Sequence, residues 1–364
     1  MKIGIIGLPN VGKSTFFNAL TQAGASAENY PFCTIDPNIG VVEVPDKRLD
    51  ILHQLNQDKE KTPVTIEFVD IAGLVEGASE GEGLGNQFLS HIREVDAILH
   101  VVRCFQDENI AHVDGTIDPL RDIEIINTEL KLADLEIINK QIEKTERMLK
   151  SGEKKYKEKL GSLSKISDTL KSDKNVRELN LNETEIELIK EYQLLTAKPI
   201  IYLANIAESD IEKKDNKYIQ KIKSKAEKEK AGVLPISAKI ESDIAELDEE
   251  DANMFLGEMG LDESGLDRVI QESYKLLNLI TFFTVAGEKE VRATAVEKGS
   301  TAPEAAGKIH SDMERGFIKA EVVNFEDFKK YNSLNEAREH GLLRQEGKEY
   351  IIKDGDICYF KFNV

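Results

Sequence analysis

Residues 7–14 constrain this chain more than any other stretch, because they read Gly-Leu-Pro-Asn-Val-Gly-Lys-Ser and match GxxxxGK[ST], the phosphate-binding loop or P-loop. The apolar run KIGIIG leads into the match and the helical run GKSTFFNALTQ follows it, as the motif requires. The glycines let backbone N–H groups turn toward phosphates, and the helix N-terminus adds its positive dipole end. We therefore predict a nucleotide site in which Lys13 reaches the β- and γ-phosphates and Ser14 ligates Mg²⁺.

Apolar runs that resemble buried strands recur between helical segments through the first two thirds of the chain. They read KIGIIG, IGVVEV, VTIEFVD, AILHVVRCF, KPIIYLAN and VLPIS. Strands of this kind that alternate with helices are typical of a parallel α/β sheet. The predicted fold class is therefore α/β, with a parallel P-loop sheet domain.

One interval between these strands is too long for a simple crossover. Val102 and Pro199 are 97 positions apart, whereas a strand–helix–strand unit needs about 30 residues. The pattern between them is helical, because apolar residues recur there at spacings of three and four, at Ile123, Ile126, Leu130, Ala133 and Ile137. We predict an inserted antiparallel helical hairpin, with Gly152 and Gly161 as candidate breaks.

From Leu279 onward the pattern changes to short strand-like runs with turns at Gly299 and at Asp354-Gly355. The runs read ITFFTVAG, EVRATAVE, FIKAEVV, EYIIKDG and DICYFKFNV, and one helix, APEAAGKIHSDMERG, lies among them. This pattern predicts a small α+β module. The expected domains are residues 1–120 with 198–278 for the nucleotide site, 121–197 for the helical insertion and 279–364 for the module.

The charge of the chain excludes a general nucleic-acid binder. It carries 48 Lys and Arg against 67 Asp and Glu, a net charge of −19, and affinity for phosphates needs cations. The distribution is uneven, since residues 140–174 sum to +5 and residues 241–267 to −11. The basic stretch can face RNA, although a solvated helical face explains it equally well.

Cysteine usage and hydropathy predict a cytoplasmic protein. Cys33, Cys104 and Cys358 are far apart and odd in number, which argues against a disulfide framework or a zinc site and fits a reducing cytosol. No apolar run approaches the ~20 residues of a membrane span. The start, MKIGIIGLPN, lacks the h-region and cleavage site of a signal peptide.

A second motif, Asp70-Ile71-Ala72-Gly73, follows a buried strand and reads DxxG. Its Asp70 would hold Mg²⁺, usually through water, and the Gly73 amide would sense the γ-phosphate. Between the two motifs, YPFCTIDP supplies Thr34 as the natural second Mg²⁺ ligand. The glycine-rich stretch LVEGASEGEGLG after DxxG suits a nucleotide-dependent switch.

The residue after Gly73 is Leu74, where a Ras-like enzyme has the glutamine that orients the attacking water. Leucine cannot perform this role, so we expect slow hydrolysis or a different water-positioning group. His91 and His112 are the candidates, and for each a solvated or capping role stays open. We favour His112, because it follows the carboxyl end of a sheet strand, where ligands bind.

The segment expected to read the base is Asn205-Ile206-Ala207-Glu208, where guanine sites usually read NKxD. Glu208 is one methylene longer than aspartate, and Ile206 replaces the lysine that stacks on the base. A site that pairs polar groups rejects a mismatched ring strongly, so guanine preference is in doubt and adenine is plausible. Ser237-Ala238-Lys239 completes the base pocket.

With these residues assembled, the whole chain resembles the YchF family, the Obg-like ATPases of the translation-factor P-loop class. The matching stretches are GLPNVGKSTFFNALT, NYPFCTIDPN, DIAGLVEGASEGEGLGNQFLSHIREVDAILHVVRCF, NIAE and ITFFTVAGEKEVRATAV. The resemblance implies a nucleotide domain, an inserted helical coiled-coil arm and a C-terminal TGS domain of ubiquitin-like β-grasp fold. It also implies ATP preference, with glutamate at Glu208 and a hydrophobic residue at Leu74.

Carried over by this resemblance, the phosphates lie against Asn10, Val11, Gly12, Lys13, Ser14 and Thr15, and Mg²⁺ is held by Ser14 and Thr34. The DxxG motif adds Asp70 to the expected Mg²⁺ ligands. The adenine lies against Asn205, Ile206, Glu208, Ser237 and Ala238. Lys13, Gly73 and His112 are the catalytic candidates. The resemblance implies a ribosome-binding, slow Mg²⁺-dependent ATPase that acts as a translation-linked switch. An Obg-type GTPase in ribosome assembly and a nucleotide-gated RNA- or ribosome-binding module with negligible turnover stay open.

Overall fold

The structure, a computed structural model, describes residues 1–23, 38–71, 84–107, 116–149, 153–211, 213, 216–285 and 289–363. These residues form two compact units. The first consists of Met1–Val42 and Glu67–Val269, and the second of Glu43–Ile66 and Ile270–Val364. No sequence pattern predicts the grouping of residues 43–66 with the C-terminal residues.

A six-stranded sheet forms the centre of the first unit. Its strands are β1 (Lys2–Ile6), β2 (Ile39–Glu43), β4 (Thr65–Asp70), β5 (Ala97–Arg103), β6 (Ile200–Asn205) and β7 (Gly232–Ile236). They lie in the order β2-β4-β1-β5-β6-β7, and the pairs from β4 to β7 are parallel. Every residue of β5 and β6 is buried. The predicted parallel α/β sheet is confirmed, and its carboxyl edge is where a ligand is expected.

Nine helices accompany this sheet in the part of the first unit that the structure describes. They are α1 (Lys13–Ala23), α3 (Leu84–Glu94), α4 (Pro119–Leu149), α5 (Lys154–Lys171), α6 (Glu183–Tyr192), α7 (Lys217–Glu229), α8 (Ala238–Ala245), α9 (Glu249–Glu258) and α10 (Gly265–Leu276), whose last turns belong to the second unit. Short 3-10 turns lie at Val176–Glu178, Leu195–Ala197 and Glu208–Asp210. None of the described helices is both long and apolar enough to span a bilayer.

The insertion is helical, as predicted, but it is more than a hairpin. The third helix, α6, and the flanking 3-10 turns share one apolar core with α4 and α5, made of Ile138, Leu163, Ile166, Leu170, Val176, Leu188 and Leu194. Local capping starts α6, because the side chains of Asn182 and Glu185 each accept a hydrogen bond from the backbone N–H of the other.

Helix α4 has two apolar faces, which corrects the single predicted stripe. In its first half Ile123, Ile126, Leu130 and Ala133 are buried, and the helix contacts β5 and α7 there. Further along, Ile138 is fully buried in the core of the insertion and Ile137 is only partly buried. The helix changes packing partners along its length, so one stripe cannot describe it. The predicted break at Gly161 is wrong, since Gly161 lies exposed inside α5, while Gly152 lies outside the described residues.

The second unit contains the other sheet. Its elements are α2 (Lys47–Gln54), β3 (Glu60–Thr62), β8 (Leu279–Thr284), β9 (Glu290–Glu297), α11 (Ala302–Ile309), α12 (Ser311–Arg315), β10 (Phe317–Asn324), α13 (Phe325–Tyr331), α14 (Leu334–Glu339), β11 (Arg344–Glu346) and β12 (Asp356–Phe362). The order is β11-β10-β12-β8-β9-β3. Strands β8 and β12 are parallel at the centre, β9 and β10 are antiparallel to them, and β3 adds to the outer edge of β9. The arrangement from β8 to β12 is that of a β-grasp.

Two local predictions for this unit differ from the structure. EYIIKDG is not a strand, because only Ile351 makes an isolated bridge, to Thr301, and the short strand is β11 instead. The single predicted helix is two helices, because His310 is extended and its Nδ1 accepts from the backbone N–H of Asp312, which starts α12. The turns at Gly299 and Gly355 are present, and both residues have positive φ.

Candidate nucleotide-binding site

The P-loop lies at the carboxyl end of β1, and two of its residues have left-handed backbones. Asn10 has φ 62° and Gly12 has φ 94°. A side chain at Gly12 would run into the amide of Asn205, so this position combines a positive φ with a close approach that only glycine tolerates. The loop therefore turns sharply enough for helix α1 to begin at Lys13.

The first turn of α1 forms the phosphate end of the site. Its N-terminal backbone N–H groups have no partner within the helix, and they carry the positive end of the helix dipole. Ser14 and Thr15 are exposed on this turn, so their hydroxyl groups are available beside the N–H groups. This is a general anion-binding arrangement.

An ion pair joins the two predicted motifs. Asp70 is the last residue of β4, and β4 pairs with β1 so that Asp70 lies beside Ile5. The Asp70 carboxylate contacts Lys13 Nζ, and the two side chains are 17% and 12% exposed. The DxxG aspartate and the P-loop lysine are thus adjacent. This is the arrangement expected if Asp70 holds Mg²⁺ beside the phosphates that Lys13 contacts.

Asn205 ties three elements together at the carboxyl edge of the sheet. It is the last residue of β6 and is 4% exposed. Its Nδ2 donates to the Val11 carbonyl at 2.9 Å, and its Oδ1 accepts from the Ala238 N–H at 3.0 Å. Asn205 is predicted to line the base, and it does border the cavity, but in this structure both ends of its amide are bonded to backbone. It fixes the P-loop relative to α8.

These elements surround an open cavity of about 910 Å³. Ten of the predicted site residues line it: Asn10, Gly12, Lys13, Ser14, Thr15, Asn205, Ile206, Glu208, Ser237 and Ala238. Val11 is buried under the loop rather than in the lining, and Asp70 is adjacent through Lys13. Thr34, Gly73 and His112 lie outside the described residues, as does Leu74. His91 is exposed on α3 and is not part of the lining.

An ion pair also marks the end of the cavity where the base is expected. Glu208 Oε1 lies 3.0 Å from Lys239 Nζ, and both side chains are largely exposed. The Glu208 carboxylate raises the pKa of Lys239 by accepting a hydrogen bond from it. Ile206 is buried at 4% exposure beside them. One oxygen of the carboxylate that could pair with a base is therefore already engaged by a cation, in an ion pair exposed to solvent.

One wall of the cavity is not predicted by any of the motifs, and it is formed by Phe105, Gln106 and Asp107. These residues follow β5, which lies between β1 and β6 in the sheet. The buried Arg103 at the end of β5 donates hydrogen bonds to this loop. The sequence does contain a usable signal, because a loop after a central parallel strand opens onto the carboxyl edge where ligands bind.

The residues at the phosphate end suit Mg²⁺. Ser14 offers a hydroxyl and Asp70 a carboxylate, which are the hard oxygen ligands that Mg²⁺ prefers. Among the residues that the structure describes, no group of three or more His, Cys, Asp or Glu side chains could hold a metal ion alone.

A parallel sheet with a P-loop on β1, an aspartate at the end of β4 and an open cavity at the carboxyl edge defines a P-loop nucleotide-binding protein. Comparison with known families agrees. Residues 2–150 match the family model MMR_HSR1, described as "50S ribosome-binding GTPase". Residues 279–363 match YchF-GTPase_C, described as "Protein of unknown function (DUF933)". Proteins named YchF are 54% identical to this chain over nearly its whole length. The chain therefore belongs to the YchF family, which confirms the resemblance seen in the sequence.

Similar proteins span almost the whole chain. The protein named "Ribosome-binding ATPase YchF" from Haemophilus influenzae is 54% identical over 363 residues, covering 100% of this chain and 99% of its own length. The protein of the same name from Bacillus subtilis is 54% identical over 362 residues, covering 99% of each. The solved structure of the Schizosaccharomyces pombe YchF GTPase has a TM-score of 0.88 at 40% identity, covering 99% of this chain and 97% of that one.

Proposed function

We propose that this chain is a Mg²⁺-dependent ATPase that binds ribosomes and acts as a slow, translation-linked switch with a preference for ATP over GTP. Relatives with more than half of their residues identical, over nearly the full length, are named ribosome-binding ATPases. The cavity at the carboxyl edge of the sheet supplies a matching nucleotide site. A ribosome-binding role implies a cytoplasmic protein, since translation takes place there.

The Glu208–Lys239 ion pair is the observation that carries the preference for ATP. Guanine recognition by an NKxD segment needs a free carboxylate that accepts two hydrogen bonds from the base edge. Here one oxygen of the Glu208 carboxylate is bonded to Lys239, and Ile206 stands where the stacking lysine would be. A guanine would leave its donors without these partners, whereas adenine does not present the same pair of donors. Unpaired polar groups cost affinity, so the site favours adenine.

The phosphate end uses charge and position. Lys13 would leave Asp70 for the β- and γ-phosphates, while the N–H groups of the first turn of α1 hold phosphate oxygens. Ser14, Asp70 and Thr34 would hold Mg²⁺. Bound Mg²⁺ neutralises charge on the β- and γ-phosphate oxygens during phosphoryl transfer. These residues orient the triphosphate for attack by water.

Slow turnover and switching follow from the second motif. Leu74 cannot orient a water molecule by hydrogen bonding, so the rate depends on another group, for which His112 is our candidate. The Gly73 amide and Thr34 would contact the γ-phosphate side and lose that contact after hydrolysis. Such loss of contact is how nucleotide hydrolysis releases a switch segment.

Ribosome binding is supported by the charge of the helical insertion. Lys140, Lys144 and Arg147 are exposed near the end of α4, and Lys154 and Lys155 are exposed at the start of α5. The chain as a whole is acidic, so residues 140–174, with a net charge of +5, are the part suited to RNA phosphates. Most of the named cations are each paired with a glutamate, so the net excess of positive charge in this segment supports the proposal. We propose that the insertion contacts ribosomal RNA, with the C-terminal unit as a second candidate.

Competition binding tests the nucleotide assignment. A fluorescent ATP analogue with Mg²⁺ is bound to the full chain and displaced by unlabelled ATP or GTP. We expect ATP to compete at least about tenfold better, a difference of about 1.4 kcal/mol. Glu208→Gln serves as the matched variant, because it removes the charge and keeps the length. Tighter binding of GTP would overturn the ATP preference and leave the fold and the phosphate site unaffected.

Two alternatives have observations in their favour. An Obg-type GTPase is favoured by the description of the matching family and by the name of the fungal relative, both of which include the word GTPase, and the competition experiment decides between the two bases. A nucleotide-gated binding module with negligible turnover is favoured by Leu74. Single-turnover phosphate release with and without ribosomes separates it from an ATPase, since a gated module releases no phosphate in either case.

A further inference from the structure

One buried cation supports the wall of the cavity that the motifs did not predict. Arg103 ends β5 and is 1% exposed, although arginine is almost never fully buried unless it is paired. In the β5–β6 pairing its neighbour is Asn205, the residue that ties the P-loop to α8. Arg103 therefore lies at the carboxyl edge of the sheet, next to the cavity.

The contacts described for Arg103 include three with the loop that follows it. Its Nε donates to the Phe105 carbonyl at 3.2 Å, and its Nη2 donates to the Asp107 carbonyl at 3.3 Å. Its Cζ lies 4.6 Å from the centre of the Phe105 ring, within the range of a cation–π contact. The Cys104 N–H donates to the Asn205 carbonyl at 2.8 Å. The sheet thus bonds the start of residues 104–107, and the Arg103 guanidinium bonds two carbonyls further along.

The residues that Arg103 holds are those that line the cavity. Phe105 is partly buried, and it borders the space together with Gln106 and Asp107. Burying a cation costs several kcal/mol before its partners offset it, and an apolar residue could fill a strand end without that cost. The planar fork of arginine can bond two carbonyl groups and stack on a ring at once, which a lysine ammonium cannot do. Both kinds of contact are needed to hold the 105–107 loop and the Phe105 ring in one conformation.

We propose that Arg103 is a positioning residue for the nucleobase: it sets the place of the Phe105 ring and of the 105–107 backbone, against which the base packs. The proposal rests on the proposed function, because it needs a nucleotide in the cavity. The hydrogen bonds described for Arg103 go to the 105–107 loop and not to the phosphate end, which is built on α1. Loss of Arg103 therefore affects the base and leaves the triphosphate contacts in place.

Two ligands distinguish the base end of the site from the phosphate end, because ATP contains a base and tripolyphosphate does not. Mg²⁺-ATP and Mg²⁺-tripolyphosphate are titrated by calorimetry into the full-length wild type, Arg103→Lys, Phe105→Ala and the double variant. Arg177→Lys is the matched control, because Arg177 is also a buried arginine of the first unit, with its side chain 5% exposed, and it does not line the cavity. Thermal unfolding of each variant records any loss of stability.

We expect Arg103→Lys to weaken ATP binding about tenfold and to leave tripolyphosphate binding within about twofold of the wild type. In the double variant the two losses should overlap, because Arg103 acts through Phe105. Arg177→Lys should lower the unfolding temperature without changing either affinity.

Three results would overturn the inference: unchanged ATP binding by Arg103→Lys, an equal loss for both ligands, or strictly additive losses in the double variant. An equal loss would mean that Arg103 only stabilises the fold. If the wild type binds ATP and Arg103→Lys binds it equally well, this inference fails and the proposed function stands. If the wild type binds no ATP, both fail.

Discussion

The buried ion pair between Arg177 and Glu229 leads to a sharp stability prediction. Arg177 follows α5 in a 3-10 turn, and Glu229 ends α7. Their side chains are 5% and 6% exposed, with Nη2 and Oε2 3.0 Å apart. Glu229 also accepts a hydrogen bond from Tyr202 Oη and pairs with Lys225 Nζ at 2.6 Å. The group connects the insertion to the sheet and to α7 within the first unit.

The magnitude follows from the burial. At 3.0 Å two unit charges attract by about 5 kcal/mol when the effective dielectric constant is about 20. Desolvation of each ion costs several kcal/mol, so the pair as a whole contributes little net stability. Removing one partner leaves a buried charge and costs about 3–5 kcal/mol. Arg177→Met should fall at the lower end, because Lys225 and Tyr202 still serve Glu229. Glu229→Gln should fall higher, because it leaves the buried Arg177 without a carboxylate, whereas Lys225 keeps its ion pair with Glu124.

The assay is a double-mutant cycle read by urea unfolding, with hydrogen exchange of β6 and α7 as a local probe. We expect the Arg177→Met/Glu229→Gln double variant to be more stable than Glu229→Gln alone, because the Arg177 guanidinium is then no longer buried opposite a lost carboxylate. Lys140→Met is the matched control, since its ion pair with Glu136 is exposed and should contribute about 0–1 kcal/mol. Additive losses, with a coupling energy below about 0.5 kcal/mol, would refute the reasoning.

Three further predictions concern the same unit. Lys13→Ala should reduce ATP turnover by about 10²–10³-fold, because it removes the cation of the phosphate end. Phosphate release measures this turnover, and an unchanged rate would contradict the assignment of Lys13 to the phosphate end. Lys239→Ala should raise GTP affinity relative to ATP, because it frees the Glu208 carboxylate to accept from guanine; the competition assay measures the ratio, and an unchanged ratio would refute this role. Burial alone would raise the pKa of Glu229, but hydrogen bonds from Lys225 and Tyr202 and the charge of Arg177 lower it overall. The stability advantage of the wild type over Glu229→Gln should therefore be complete above the usual value of 4.5 and shrink as pH falls below it, which urea unfolding across pH would show.

Local patterns are sufficient to predict the sheet and the P-loop. Strands such as β5 and β6 are buried on both faces, so they appear as continuous apolar runs, and the loop at residues 7–14 carries its own backbone requirements at Gly12. The cavity lining at Ile206, Glu208 and Ser237 can also be inferred from the sequence, because each of these residues follows a recognisable strand.

What could not be predicted depends on contacts that are distant in the sequence. Phe105 and Arg103 look like the end of an apolar strand, and only the packed structure reveals that the arginine turns back onto its own loop. The two faces of α4 are a similar case, since a periodic pattern shows that a face is apolar but not what it packs against. Gly161 resembles a break because glycine disfavours helices by about 1 kcal/mol, a cost that neighbouring turns of α5 outweigh.

The pairing of β3 with β9 has a consequence for synthesis. Thr62 and Glu290 hydrogen-bond to each other although 228 positions separate them. At roughly 5–20 residues per second, a ribosome would need about 10–50 s to make the intervening chain. Strand β3 and helix α2 must therefore leave the exit tunnel long before the strands that complete their sheet exist. The first unit ends at Val269, so all of it is made before the strands of residues 279–362 that complete the second sheet. A fragment that starts at residue 279 would lack strand β3 at the edge of its sheet. The folding unit therefore includes residues 43–66, which are synthesised early and can pair with β9 only much later.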